Sequence, residues 1–163
     1  MIINLKNKDT LVYDDFLFRC SIGKKGLTSN KVEGDKKTPK GVFSLGPLYF
    51  RKDRNISPTT KIKTIEINKK MGWCDDSNHP KYNCLVKINR NFKHEKMFRK
   101  DHKYDFVIPI NYNTSKPKKN KGSAIFIHLT QDYKKTLGCI ALKKKDFLIL
   151  IKLINKKTKI KIS

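Results

Sequence analysis

A mainly β fold is predicted for this chain by three features. Short apolar or alternating runs rich in Val, Ile, Leu, Phe and Tyr recur along its 163 residues, separated by Asn, Asp, Gly and Pro. Only residues 146–155 carry a broad apolar face at helical spacing next to a fitting start signal. A composition that is 37% hydrophobic and 10% aromatic supports a packed core despite the heavy charge. The expectation is one domain over residues 1–163. It is a small mixed β-sandwich or barrel-like sheet, with a C-terminal helix and an irregular central insertion.

Residues 2–5, 10–13 and 16–22 read as three strands of a meander, with N-K-D and D-D as turns. A polar loop follows over 23–30. In E-G-D-K-K-T-P-K-G-V-F-S-L-G, residues 33–46, Pro39 stiffens the approach and Gly41 permits an unusual backbone angle before a strand at 42–45. Residues 47–60 form a basic, turn-rich connection, and 61–67 alternate as a half-buried strand. The insertion spans 68–104. Trp73, with Asp75, Asp76, Tyr82 and Asn83, either lines a groove for a peptide or sugar, or caps the core while the acids cap turns. Residues 92–100 read as a short helix. A buried strand at 105–110 leads to Tyr112 and Asn113, expected on the same rim as His128. Further strands follow at 124–129 and from Gly138 to Leu142. The helix at 146–155 takes Asp146 as N-cap or first-turn acid, and a closing strand occupies 158–162.

The formal charge is +24, from 38 basic and 14 acidic residues. Only five of the basic residues are Arg, whereas readers of nucleic acid lean on its planar fork. Lysine is scattered through every segment and no nucleic-acid motif is present, so specific nucleic-acid binding is not expected. Attraction to an anionic cell-wall polymer fits the same charge. No apolar run approaches the roughly 20 residues of a membrane span, and residues 1–9 lack the zones of a secretory signal. Four cysteines, at 20, 74, 84 and 139, match no disulfide framework, although a Cys74–Cys84 pair is open in an oxidising compartment. Cys74, His79, Cys84 and His94 lack the tight C-x2-C knuckle of a strong zinc set.

The chemistry concentrates between Gly122 and Leu142. Two buried strands joined by a short loop bring the His128 imidazole and the Cys139 thiol to one rim. A thiol near pKa 8.5 is mostly protonated at neutral pH, and a neighbouring imidazole can take its proton or stabilise the anion. Gly138 allows close backbone approach, and the N–H of Cys139 and its neighbour can face an oxyanion. Alone, such a pair is a weak signal, because most lone cysteines are small core hydrophobes.

The wider pattern is more specific. His128, a spacer and T-L-G-C-I-A-L resemble the active-site signature of the L,D-transpeptidase (YkuD-like) catalytic domain. Gly34, Asp35, Thr38, Pro39, Gly41 and Phe43 match the G-D-x-x-T-P-x-G-x-F block upstream of it, and G-W-C-D-D…Y-N resembles one branch of the family. Leu137 stands where many members have a second His, Ala141 where they have Arg or Asn, and the spacer is short.

The resemblance implies an L,D-transpeptidase fold and cysteine-dependent acyl transfer on peptidoglycan stem peptides, within cell-wall biogenesis. Cys139 is then the nucleophile, His128 the proton donor and acceptor, and Gly138 part of the catalytic turn. Thr136, Trp73, Tyr112 and Asn113 are the expected substrate contacts. No metal or organic cofactor is needed, a monomer is expected, and the family implies a periplasmic or wall-facing location. A hydrolytic L,D-carboxypeptidase on the same residues and a non-catalytic basic module are the alternatives.

Overall fold

The computed structural model describes residues 1–163. β1 (Ile2–Lys6), β2 (Thr10–Tyr13) and β3 (Phe16–Ser21) form the expected antiparallel meander. β4 (Leu27–Thr28) and β5 (Thr38–Pro39) make a small parallel pair, followed by β6 (Gly41–Ser44), β7 (Leu48–Phe50) and β8 (Thr64–Glu66). The insertion carries β9 (Met71–Cys74), β10 (Leu85–Lys87) and β11 (His94–Lys96). β12 (Phe106–Pro109), β13 (Phe126–Leu129), β14 (Ile140–Leu142), helix α1 (Lys144–Leu153) and β15 (Lys159–Ile162) complete the chain. Ten strands form one sheet in the order β6-β15-β1-β2-β3-β14-β13-β12-β7-β8, which curls into a half-barrel. The predicted mainly β architecture with one C-terminal helix is the one observed.

Strand alternation divides the sheet into two faces. Ile125, Ile127, Leu129, Ile140 and Leu142 belong to a 24-residue core that also takes Phe147, Leu150 and Ile151 of α1. Phe126 and Cys139 belong to a second cluster on the opposite face, with Trp73, Met97, Tyr104 and Val107. The helix begins two residues before its predicted start, which places Asp146 in the first turn, where it complements the helix dipole.

Two local expectations are corrected. Residues 92–100 hold no helix: β11 pairs with β9 (His94↔Cys74, Glu95↔Trp73, Lys96↔Gly72) and delivers a fully buried Met97 to the second cluster. A nine-residue, lysine-rich helix has little intrinsic stability, so the sheet pairing and core contact prevail. The turn-rich connection at 47–60 also contains β7, which pairs with β12 and β8 and is buried throughout. The insertion is thus largely a three-stranded sheet in the order β10-β9-β11.

Candidate active site

β13 and β14 pair in parallel, with His128 opposite Ala141 and Ile127 opposite Ile140. One position back from Ile140, Cys139 falls on the same face as His128, diagonally across the two strands; no hydrogen bond joins the two side chains, and the thiol donates instead to Ala124 O at 3.3 Å. The connecting loop is pinned to the end of β3. Ser21 Oγ donates to Lys134 O at 3.1 Å, Thr136 N to Ile22 O at 3.0 Å, and Lys24 N to Thr136 O at 2.9 Å. Cys139 and His128 line one cleft of about 790 Å³, together with Glu95, Arg99, Tyr104 and Thr136.

The turn that carries the thiol is built from both sequence blocks. Thr136 Oγ1 donates to Cys139 O at 2.6 Å and accepts from Gly138 N at 3.1 Å, so this cleft-lining hydroxyl also fixes the turn. Gly138 has φ +145°, and a Cβ there would sit 3.0 Å from Lys37 O. Thr38, fully buried, donates from Oγ1 to Gly138 O at 2.8 Å and accepts from Gly23 N at 2.9 Å. The Cys139 N–H has no acceptor within the protein and is free for an oxyanion. Asp35 of the upstream block accepts from Lys31 Nζ at 2.5 Å, from Val32 N and from Lys37 N. Burial works to raise its carboxyl pKa, but these donors together hold it below the usual range. Thr38→Val orphans two buried backbone groups and is expected to cost about 1–3 kcal/mol, read by urea unfolding.

Protonation states follow from burial. His128 Nδ1 lies 2.9 Å from Leu129 O. A carbonyl only accepts, so Nδ1 carries the proton and Nε2 is the basic nitrogen. Burial lowers the imidazole pKa to about 4, so the ring is neutral at pH 7. The Cys139 thiol is pushed up to about 12, first by burial and then by Glu95, against the Phe126 N–H, which donates to Sγ at 3.4 Å. The resting pair is a neutral thiol and a neutral imidazole. Between pH 6.5 and about 4 the unfolded chain takes up a proton at this histidine that the fold refuses, so stability falls with pH across that window. His128→Gln is expected to remove about 3 kcal/mol of that acid sensitivity, measured as the difference between unfolding free energies at pH 7 and pH 4.

A group that sequence reasoning missed borders this pair. Tyr104 packs edge-on to His128, with ring centroids 5.5 Å apart, and its hydroxyl donates to Glu95 Oε1. Burial raises the Glu95 carboxyl pKa, while Tyr104 and Arg99 oppose the rise. Arg99 is in turn held bidentate by Asp101 at 2.9 and 2.7 Å. Lys24, Lys103 and Lys135 also line the cleft and form no ion pair with an acid. In sequence, the only trace of the group is an acid and a tyrosine nine positions apart.

The remaining expected contacts do not reach the cleft. Trp73 is buried, donates from Nε1 to Asn83 Oδ1 at 2.9 Å and meets Phe126 edge-on at 5.1 Å, so it backs the sheet. Tyr112 and Asn113 line a separate open hollow with Lys31, Lys118 and Lys121. β12 runs antiparallel to β13, which carries the end of β12 toward the start of β13 and away from His128. Asn113 binds the loop at Lys118 and Gly122 instead. Cys74 and Cys84 meet across the β9–β10 hairpin as free thiols, while His79 and His94 pack on Phe92.

A half-barrel whose two motif blocks converge on one cysteine turn is an arrangement with known relatives. The chain belongs to the L,D-transpeptidase catalytic domain (YkuD) family, whose profile matches residues 1–162. Among solved structures it is similar to the helical cell shape determining protein Pgp2 from Campylobacter jejuni, at 20% identity and a TM-score of 0.53. A lysine-to-alanine mutant of the same protein matches at 18% identity and a TM-score of 0.51. Both alignments cover 99% of this chain and 46% of the other, so the chain spans about half the length of those structures. No curated protein matches it. No helix is long and apolar enough to cross a membrane.

Proposed function

We propose that this cleft performs cysteine-dependent acyl transfer on peptidoglycan stem peptides, as an L,D-transpeptidase. The observation that carries the reading is the diagonal placement of Cys139 and His128 on one sheet face in one cleft, with the imidazole tautomer set by Leu129 O. Sγ attacks the peptide carbonyl that follows an L-centre, and the thiol proton passes to His128 Nε2. Proton transfer is uphill in the empty cleft, so it accompanies formation of the S–C bond. The carbonyl oxygen becomes an oxyanion facing the Cys139 N–H. As the C–N bond breaks, the imidazolium returns the proton to the departing D-residue amine, leaving a thioester on Cys139. An amine acceptor then gives its proton to His128 and displaces the thiolate, which is reprotonated.

The cationic rim of Lys24, Lys103 and Lys135 suits a stem peptide with free carboxylates, and it takes the place of the Arg or Asn absent at Ala141. The substrate sets the location on the wall-facing side. The likeness to a protein named for helical cell shape brings cell-shape maintenance into the proposal. The test is a tetrapeptide donor assayed with and without a diamino acceptor. Transferase activity gives the coupled product when acceptor is present, and free acid alone reassigns the chain as a carboxypeptidase. No donor consumption under either condition rejects the enzymatic reading.

A further inference from the structure

Asn83 lies buried where the insertion meets the main sheet, and its side-chain amide makes every bond open to it. Oδ1 accepts from Trp73 Nε1 at 2.9 Å and from Ala124 N at 3.0 Å. Nδ2 donates to Tyr112 O at 2.9 Å and to Asn113 O at 2.7 Å. The backbone explains why this residue type stands here. Asn83 has φ +58° in a bulge of the β9–β10 hairpin, where its N–H donates to Cys74 O at 2.8 Å while Cys74 N donates to Cys84 O at 2.9 Å. Asn is among the few residues that enter this left-handed region readily, and its amide is the right length for the four partners.

The partner that matters is Ala124. It also adopts a left-handed conformation, φ +53°, which an alanine does not choose without external support. Its N–H is held by Asn83, and its carbonyl accepts the Cys139 thiol at 3.3 Å. One residue therefore separates the asparagine from the sulfur. Phe126 N–H approaches the same sulfur at 3.4 Å, so Sγ is held between an acceptor and a donor on the lead-in to β13.

We infer that Asn83 is a positioning residue for Cys139: by holding Ala124 in its left-handed conformation, it aims the Ala124 carbonyl at the thiol and sets the direction of Sγ. The inference rests on the proposed role of Cys139 as nucleophile. A hydrogen bond from S–H to a carbonyl favours the neutral thiol, so loss of the Asn83 amide has two consequences of opposite sign. The thiol ionises more easily, yet it is worse aimed at a carbonyl.

Two variants separate the amide from the backbone. Asn83→Gly keeps the left-handed conformation and removes all four side-chain bonds. Asn83→Asp keeps acceptors for Ala124 N–H and Trp73 Nε1, but puts an oxygen in place of the donor facing Tyr112 O and Asn113 O, a repulsion expected to lower stability. Each is alkylated with iodoacetamide across pH, with modification of Cys139 followed by peptide mass mapping, and is acylated with a carbapenem followed by intact mass. Asn83→Gly is expected to move the Cys139 alkylation midpoint to lower pH by about one unit while slowing acylation roughly 10–100-fold. Asn83→Asp is expected to return the midpoint to the wild-type value or above and to restore most of the acylation rate.

Wild-type curves for Asn83→Gly overturn the proposal, as does an Asn83→Asp variant that keeps Ala124 N–H protected from exchange yet alkylates like Asn83→Gly. Amide exchange in the wild type tests it independently of whether the variants fold. Ala124 N–H must exchange far more slowly than the exposed amides of residues 116–121, and equal rates end the argument. Shifted alkylation midpoints without tetrapeptide consumption by the wild type would reject the acyl-transfer reading and leave the positioning role of Asn83 standing.

Discussion

Cys139→Ala is expected to yield no covalent adduct when the protein is incubated with a carbapenem and weighed intact, whereas the wild type is expected to gain one equivalent. Under the proposed acyl transfer, tetrapeptide consumption is expected to fall on the order of 10⁴-fold or more, because removal of the nucleophile leaves only binding and oxyanion contacts. The fold survives the change, since alanine fills most of a small buried site in the second cluster. Of the other cysteines, Cys20 and Cys74 are buried and Cys84 is half-buried. An adduct that persists in Cys139→Ala and maps to Cys84 would remove the assignment. His128→Gln provides a graded companion. The thiol remains, but its proposed proton acceptor is gone, and acylation is expected to slow by about 10²–10⁴-fold. A module that only binds anionic polymers predicts no loss of function from either substitution.

Gly138→Ala is expected to lower stability by about 2–4 kcal/mol and the melting temperature by roughly 6–12 °C. Two effects add at this position. A φ of +145° is strained for any residue with a Cβ, and that Cβ would meet Lys37 O at 3.0 Å. The backbone oxygen has little room to retreat, because the adjoining Thr38 is hydrogen-bonded to Gly138 O itself. Gly34 gives the internal comparison. It has φ +75° with nothing within 4 Å of a built Cβ, so Gly34→Ala carries only the conformational strain, about 1 kcal/mol. Thermal melts of the two variants that showed equal losses would mean that the contact with Lys37 O contributes nothing.

What could be read in the residues depended on how local the cause was. Alternation and turn chemistry located β1, β2, β3, β13, β14 and α1 because each declares its buried face within a few residues. β7 escaped notice because L-Y-F lies among basic and turn-forming neighbours and is a strand only by virtue of β12 and β8. The 92–100 segment misled because F-K-H-E-K-M-F fits a helix as well as a strand, and the pairing with β9 decided the matter. Cys139 and His128 share a rim because two adjacent parallel strands bring them there, and that juxtaposition was legible. The placement of Tyr112 and Asn113 turned on strand direction, which nothing in their own vicinity encodes. Glu95, Tyr104 and Asn83 belong to contacts between segments far apart in sequence, so only the folded chain discloses them.

The hydrogen bond from Thr38 to Gly138 O spans one hundred positions. Contacts of such long range form late when a chain collapses, after the local hairpins. The sulfur is therefore expected to acquire its bearings only near the end of folding, so that a partly folded chain exposes an ordinary, undirected thiol.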